Sequence, residues 1–487
     1  MNRSHPTDPG PNSTNHLPSG WGTLRLLNRY HWFVFTVAAL GWLADCMDQQ
    51  LFNLGRVSAI TELVTKEYSP EDRAGDSTRE EIDRRIKAWA GYATSIFLVG
   101  WATGGIFFGI LGDRWGRVKT MLLTILLYSL FTGLSALSVG VYDFAFYRFL
   151  TGLGVGGEFA VGVALLAETM PAAARPYTLG LLQAFSAVGN VTAALFFMGG
   201  GYLQGLGYFE NFLGMGKVNP WRVLFVIGMF PALIALFVRR RLAEPEAWVR
   251  QKEMARDGYQ LGSYREMLGK SPWRRHAIAG LALAFSGVVG LWAIGFFSVD
   301  LQQYVFRKAF REQGLSGMDL EGRVKFFAGV TSLVLQLGAL LGMFAFSTIT
   351  HFTGRRLAFA ISLVMAAAST ALVFLRLNTV GDIFWMVPLM GFCQLALFGG
   401  YAIYFPELFP TRLRSTGTSF CYNVGRFVAA IGPLLLTTLY QRVFRDGLGM
   451  EEIPAYRYAG LTMCSVFAVG LVALLFLPET RGKPLPE

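Results

Sequence analysis

Two aspartates, Asp45 and Asp48, stand in the stretch GWLADCMDQQLFN (residues 41–53), at the end of an apolar run that opens at His31. A carboxylate in hydrocarbon is costly and faces a protein interior or a water-filled path. Three residues apart, the two share one helix face. At 1.5 Å per residue, Asp45 lies roughly 20 Å from a start near His31, past the middle of a bilayer. Arg148 lies early in a later apolar run that crosses in the opposite direction, which puts it at the same depth. Burial raises a carboxyl pKa and a neighbouring guanidinium lowers it. A carboxyl held between those influences can take up and release a proton, and two so close titrate as a pair. The competing reading is an aspartate that caps the outer end of the first run in solvent.

Glu158 lies ten residues beyond Arg148, on another face, after Gly152, Gly154, Gly156 and Gly157. Those glycines permit close helix packing; Glu158 is either a second proton site or a partner for a neighbouring helix. Arg426 falls near the middle of another apolar run, three residues after Asn423. Its planar guanidinium matches a carboxylate in two-point hydrogen bonding. At that depth it requires an interior anion: Glu158, another protein group or a substrate. Asn423, Gln183, Gln336 and Gln394 offer further polar contacts. Trp292 and Phe296 offer rings that either stack on a ligand or pack against helices and lipid. No HExxH, paired metal-binding histidines or GxSxG nucleophile occurs, so catalysis is not expected. The four cysteines form no CxxC, and no metal or cofactor is expected.

These residues sit in a chain of 487 that is 53% hydrophobic and 15% charged, against about 25% charged in an average soluble domain; its mean hydropathy is +0.42. Apolar runs of near-spanning length occur at 31–52, 88–111, 119–140, 144–167, 177–200 and 221–238. Six more occur at 276–304, 326–349, 357–377, 382–404, 415–439 and 458–477. The expected fold is an all-α membrane protein of twelve transmembrane helices in two pseudo-symmetric six-helix bundles. The divisions are an N-terminal tail (1–30), a first bundle (31–238), a central connection (239–275), a second bundle (276–477) and a C-terminal tail (478–487). The tail 1–30 has no apolar h-region, so no cleaved signal peptide is expected. The connection Arg239–Arg275 carries ten Lys/Arg and five acids, while Gly55–Lys87 carries seven and eight. That asymmetry predicts a cytoplasmic connection and both termini cytoplasmic. The net charge of +11 is then topology, with no nucleic-acid partner.

The halves repeat one another. ETMPAAAR (168–175) and ELFPTRLR (407–414) share E-x-x-P-x-x-x-R at an offset of 239. DRWGR (113–117) and HFTGR (351–355) share a glycine offset by 238. EPEAW (244–248) and PETRG (478–482) close the two halves. Parallel repeats of this kind mark a transporter built around a midplane cavity.

GILGDRWGRVK (109–119) resembles the loop between the second and third spans of the major facilitator superfamily. RFLTGLGVGGEFAVGVALLAETMPAAAR (148–175) resembles its fourth span and following loop. PELFPTRLRSTGTSFCYNVGR (406–426) is similar to the metabolite:proton symporters of that superfamily, including the aromatic-acid and sialate branches. DCMD (45–48) is similar to the D-G-x-D of the aromatic-acid branch, and PETRGK (478–483) resembles the sugar porters. The resemblance runs from about residue 25 to the end. Two departures stand out: His351 occupies the second loop's acidic position, which predicts a weaker latch there, and the seventh span lacks the sugar porters' Q-Q-x-[ST]-G-x-N.

The resemblance implies proton coupling at Asp45, Asp48 and Arg148, with Glu158 as a further candidate. It implies a cytoplasmic gate built on Asp113, Gly116 and Arg117, which Glu168, Arg175, Glu407 and Arg414 join by repeat spacing; ordinary juxtamembrane charge would explain the arginines but not the repeat. The expected activity is proton-coupled import of a small organic metabolite, a carboxylate, by alternating access. A sugar or polyol proton symporter is the alternative. Drug efflux is disfavoured because the fifth span lacks a clear G-P-x-x-G-G, and a sensor because no long cytoplasmic domain follows. The expected setting is a multi-pass protein of the cell (inner or plasma) membrane, functional as a monomer, with a small molecule, a proton and the bilayer as partners.

Overall fold

The computed structural model describes residues 20–69, 76–211, 217–231, 241–255, 260–429, 435 and 438–486. Among them the chain is helical throughout, without strands. The first half contains α1 (Arg29–Thr65), α2 (Asp76–Arg114), α3 (Arg117–Ser135), α4 (Val141–Thr169), α5 (Arg175–Gly205) and α6 (Pro220–Ile227). The central connection adds α7 (Glu246–Met254) and α8 (Tyr264–Gly269). The second half contains α9 (Trp273–Val289), α10 (Phe296–Glu312), α11 (Gly317–Thr353), α12 (Arg355–Arg376), α13 (Ile383–Leu408), α14 (Arg414–Ala429), α15 (Glu452–Met463) and α16 (Val466–Leu474). A π-helical stretch, Gly290–Gly295, joins α9 to α10.

Eight of the described helical stretches are long and apolar enough to cross a membrane. The expected spans 221–238 and 415–439 run partly outside the described residues. The expected span 276–304 is divided by the π-helical stretch.

The first span corrects an expectation. Apolar character fades near residue 52, yet α1 continues to Thr65 and is 37 residues long, about 55 Å at 1.5 Å per residue. Asp45 and Asp48 are therefore inside a helix and not at its end, and at 1% and 0% exposure neither is a solvated cap.

Glycines set the helix spacing within each half. A Cβ at Gly104 would strike the backbone of Leu153, and one at Gly156 the backbone of Trp101, so α2 and α4 touch backbone to backbone. The second half repeats this: Gly342 of α11 faces Phe392, and Gly391 of α13 faces Leu335. Small residues at such crossings allow the close van der Waals packing that replaces the hydrophobic effect inside lipid.

The halves meet most tightly at the end where the described terminal segments lie, here the terminal face. Asn423 Nδ2 donates to Gly156 O (3.0 Å), and Ser419 Oγ to Gly105 O (2.5 Å). The N-terminal turn Gly20–Leu26 spans the same seam. Trp21 Nε1 donates to Thr348 Oγ1 of α11 (3.0 Å), while its ring lies 4.9 Å from Tyr177 of α5.

Candidate functional site

Between the halves lies a cavity of about 170 Å³. From the first half α1 contributes Trp42, Cys46 and Gln49, α2 contributes Trp101, and α5 contributes Gln183 and Ser186. From the second, α10 contributes Gln302, α11 Gln336, α13 Gln394 and Phe398, and α14 Tyr422 and Arg426. Toward the terminal face the rings of Phe159 and Tyr422 stack at 4.0 Å, which joins the halves across the seam.

Arg426 is 1% exposed. Its Cζ lies 4.2 Å from the Trp101 ring centre and 4.3 Å from that of Tyr422, a cation held between two aromatic faces. Its Nη1 donates to Tyr422 O and to Asn423 Oδ1 (3.1 Å), and Nε has no hydrogen-bond partner within the protein. Among the described residues no carboxylate forms an ion pair with it. The amide oxygens of Gln183, Gln302, Gln336 and Gln394 are also buried without a partner. A buried polar group left unpaired is expensive. This lining therefore favours a ligand that brings an anion to Arg426 and hydrogen-bonding groups to the amides.

Beside the cavity, inside the first half, lie three buried carboxyls. Asp48 faces Arg148 at 3.9 Å, an ion pair without a closed hydrogen bond. Arg148 is held by Ser135 Oγ, which accepts from Nε (3.0 Å) and Nη2 (2.7 Å), and by the ring of Phe225 at 4.8 Å. Asp45 has no hydrogen-bond partner and interacts electrostatically with Glu158, Asp48 and Arg426. Glu158 packs against α1: a Cβ at Gly41 would lie 2.8 Å from its Oε1. Asp45 is thus flanked by Arg426 of the cavity on one side and by Asp48 and Glu158 on the other.

The terminal face carries a second cluster. Arg117 binds Glu168 with two nitrogens (2.9 and 3.3 Å) and Asp113 Oδ1 with Nη1 (2.7 Å). It also crosses to the second half, where Thr411 O accepts from Nη2 (2.7 Å). Arg414 crosses back to Glu168 (2.8 Å). Asp113 accepts from the first turn of α14: Ser415 N (3.1 Å), Thr416 N (2.9 Å) and Thr416 Oγ1 (2.5 Å). A carboxylate at a helix N-terminus satisfies free N–H groups and meets the positive end of the helix dipole.

The repeat copy of this cluster lacks the crossing bonds. Arg355 binds Glu407 with two nitrogens (2.8 and 3.0 Å), as Arg117 binds Glu168. Arg175, the counterpart of Arg414, makes no ion pair among the described residues and donates only to Met170 O, at 3.4 Å. His351 meets the Tyr177 ring at 5.8 Å, where Asp113 meets Thr416. Gly116 (φ 129°) and Gly354 (φ 86°) adopt the backbone region that favours glycine. Each abuts a carboxylate, Glu244 or Glu479, that accepts N–H groups from the following helix.

A "Sugar (and other) transporter" family description matches residues 37–262. The chain is 28% identical over 395 residues to the cis,cis-muconate transport protein of Acinetobacter baylyi, covering 81% of this chain and 86% of that one. It is 25% identical over 479 residues to the niacin transporter NiaP of the same organism, covering 94% and 96%. In fold it resembles the solved major facilitator superfamily proton:xylose symporter XylE, with a TM-score of 0.65, 17% identity and coverage of 94% and 98%. The chain has the fold of the major facilitator superfamily, and the relatives it resembles are transporters. It is an integral multi-pass membrane protein and not an enzyme.

The structure brings Gln183, Gln336, Gln394 and Arg426 to one cavity. Asn423 is not in that lining; it supports Arg426 from behind and joins α14 to α4. The side chains of Trp292 and Phe296 lie outside the described residues. Trp42, Cys46, Gln49, Trp101, Gln302, Phe398 and Tyr422 were not picked out from the sequence. For Gln49 and Gln302 the signal was available, an amide inside an apolar helix. For the aromatic residues it was not, because rings are common on every face of a membrane helix.

Proposed function

We propose that the protein is a proton-coupled symporter that imports a small organic carboxylate by alternating access. The observation that carries this reading is Arg426, a cavity-lining guanidinium paired with aromatic faces and with no carboxylate. Muconate and niacin, named for two relatives, are both carboxylates. Asp45 links the cavity to coupling: it shares the field of Arg426 with any bound anion. Two negative charges on one guanidinium oppose each other, so a proton on Asp45 and an anion on Arg426 stabilise each other. Asp48, Arg148 and Glu158 extend that coupling group. Asp113, Gly116, Arg117, Glu168, Arg175, Glu407 and Arg414 form the gate, with the terminal face cytoplasmic in the inner or plasma membrane. The monomer is the working unit, since one chain forms the whole pathway.

A sugar or polyol symporter is the second reading, favoured by the unpartnered amide oxygens of Gln183, Gln302, Gln336 and Gln394. Uptake into proteoliposomes separates the two. Benzoate, nicotinate, cis,cis-muconate, sialic acid, xylose and glucose would be offered with and without an inward proton gradient. Gradient-driven accumulation of an acid, abolished in Asp45→Asn, is the expected result. Accumulation of a sugar with no acid uptake transfers the assignment to the second reading.

A further inference from the structure

The carboxyls beside the cavity need a way to exchange protons with the terminal face, and the cavity seam toward that face is closed by Tyr422, Phe159 and the crossing bonds below them. One face of α3 offers such a way. Thr120, Thr124, Tyr128, Thr132 and Ser135 recur every three or four residues, so they line one side of the helix. All five are 0% exposed. Hydroxyls in membrane helices ordinarily bond a carbonyl one turn back. Thr124 does so to Met121 O (2.8 Å) and Ser135 to Phe131 O (2.7 Å). Thr120 and Thr132 do not: the buried oxygen of Thr120 has no partner within the protein, and that of Thr132 lies beside Asp48. Packing alone would be served as well by valine.

The stripe runs beside the carboxyls. Ser135 holds Arg148, the partner of Asp48. Thr132 and Asp48 meet at one spot: a Cβ at Gly228 would lie 2.6 Å from the threonine's Cγ2 and 3.4 Å from Asp48 Oδ1. Tyr128 donates to Gly41 O (3.3 Å), at the position where Glu158 Oε1 rests on α1. Thr124 touches the α4 backbone position next to Glu158, since a Cβ at Gly157 would lie 2.7 Å from its Cγ2. Thr120 lies one turn from Arg117 of the gate. The titratable and charged groups facing the stripe are Asp45 and Asp48 from α1 and Arg148 and Glu158 from α4, with Arg426 of α14 acting through Asp45.

We propose that this hydroxyl face of α3 is the proton route, joining the Asp48–Asp45–Glu158 group to the terminal face on a path separate from the substrate cavity. The inference rests on the proton-coupled reading above. In each step a hydroxyl oxygen accepts a proton and releases its own to the next acceptor. No charge stays on the hydroxyls; the carboxyl that gives up its proton becomes a carboxylate, and the proton leaves Thr120 for solvent water at the terminal face, the reverse order reprotonating the carboxylate. In the state described, Tyr128 and Thr124 donate to backbone carbonyls. The route is therefore interrupted at both until those hydroxyls turn, which guards against a leak.

The test uses the full chain in proteoliposomes with a trapped pH dye and radiolabelled benzoate, nicotinate and cis,cis-muconate. Thr120→Val, Tyr128→Phe and Thr132→Val remove hydroxyls at nearly constant volume; Thr120→Ser and Thr132→Ser retain them. Gradient-driven uptake and the accompanying acidification should fall about a hundredfold in the first three, as loss of a proton-transfer group predicts, with equal-pH counterflow kept within about twofold. The serine variants should restore both. Unchanged net uptake in the hydroxyl-free variants overturns the route, as does a parallel loss of counterflow that serine does not rescue. Wild-type uptake of the acids that ignores the gradient, or no uptake of any, overturns the proton-coupled carboxylate reading itself, and the route with it.

Discussion

Arg426 and Asp45 concentrate the chemistry in two side chains. Arg426 is oriented by Asn423 and flanked by Trp101 and Tyr422. Arg426→Ala should remove acid uptake, with a loss of about 2 kcal/mol or more in binding, at least tenfold in apparent affinity. Arg426→Lys keeps the charge but not the fork, and should recover only part of it; substrate titration of purified protein reads both. Asp45→Asn should abolish gradient-driven accumulation while equal-pH exchange continues, read by counterflow. At the terminal face Glu479 adds a pH dependence. Burial raises its pKa, but N–H groups of Arg355, Arg481, Arg356 and Thr480 outweigh it and hold the carboxyl below its ordinary 4.5. A depressed pKa contributes stability above the ordinary value and loses it as pH falls through the lowered one. Glu479→Gln should flatten the loss of thermal stability below about pH 4.5, as followed by melting in detergent.

Helix contacts decide which substitutions the scaffold tolerates. Gly104 and Gly156 let α2 and α4 touch, and Gly342 and Gly391 do the same for α11 and α13. Gly104→Leu and Gly342→Leu each force a side chain onto a neighbouring backbone. Overpacking costs about 1–3 kcal/mol, and the obstacle here is backbone, so both variants should melt well below wild type in detergent. The N-terminal turn makes a different prediction. Trp21 bridges α5 and α11 through Tyr177 and Thr348 without entering either bundle. Trp21→Ala should leave the melting temperature near wild type but widen the seam. Spin labels on the terminal-face ends of α5 and α11 would report the greater separation.

At the scale of the whole molecule the two halves are alike in plan and unlike in use. The first half holds the buried carboxyls Asp45, Asp48 and Glu158; the second supplies Arg426 and three of the four lining glutamines whose amide oxygens lack a partner. The terminal-face cluster is equally lopsided: Asp113 and Arg414 cross the seam, while His351 and Arg175 make no matching bond among the described residues. Opening the terminal face must break the Asp113 and Arg414 bonds. Hydrogen bonds to charged groups are worth about 1.5–3 kcal/mol each, so Asp113→Asn should shift the balance of states about tenfold toward an open terminal face. His351→Asp should shift it the other way by completing the second latch. Distance distributions between labels on the two bundles measure both.

The spacing of E-x-x-P-x-x-x-R and of the two glycine loops was enough to read a duplicated membrane protein and to single out arginines and acids that the structure gathers at the terminal face. Hydropathy and repeat offsets are properties of the chain, and lipid imposes helices on any apolar run that crosses it. The same hydropathy misplaced the end of α1, because its signal stops where lipid stops while helical hydrogen bonding continues to Thr65. Residue type marked Asp45, Arg148, Glu158 and Arg426 as costly in lipid and therefore as candidates for function. Membership of the cavity depended on helix rotation and on how closely the halves approach. Those are set by long-range contacts such as Phe159 on Tyr422 and Asn423 on Gly156. Sequence therefore supplied the chemical groups and the twofold plan. Only the tertiary structure decided that Arg414 reaches Glu168 while Arg175 makes no ion pair among the described residues, because a crossing bond depends on how closely the two halves approach.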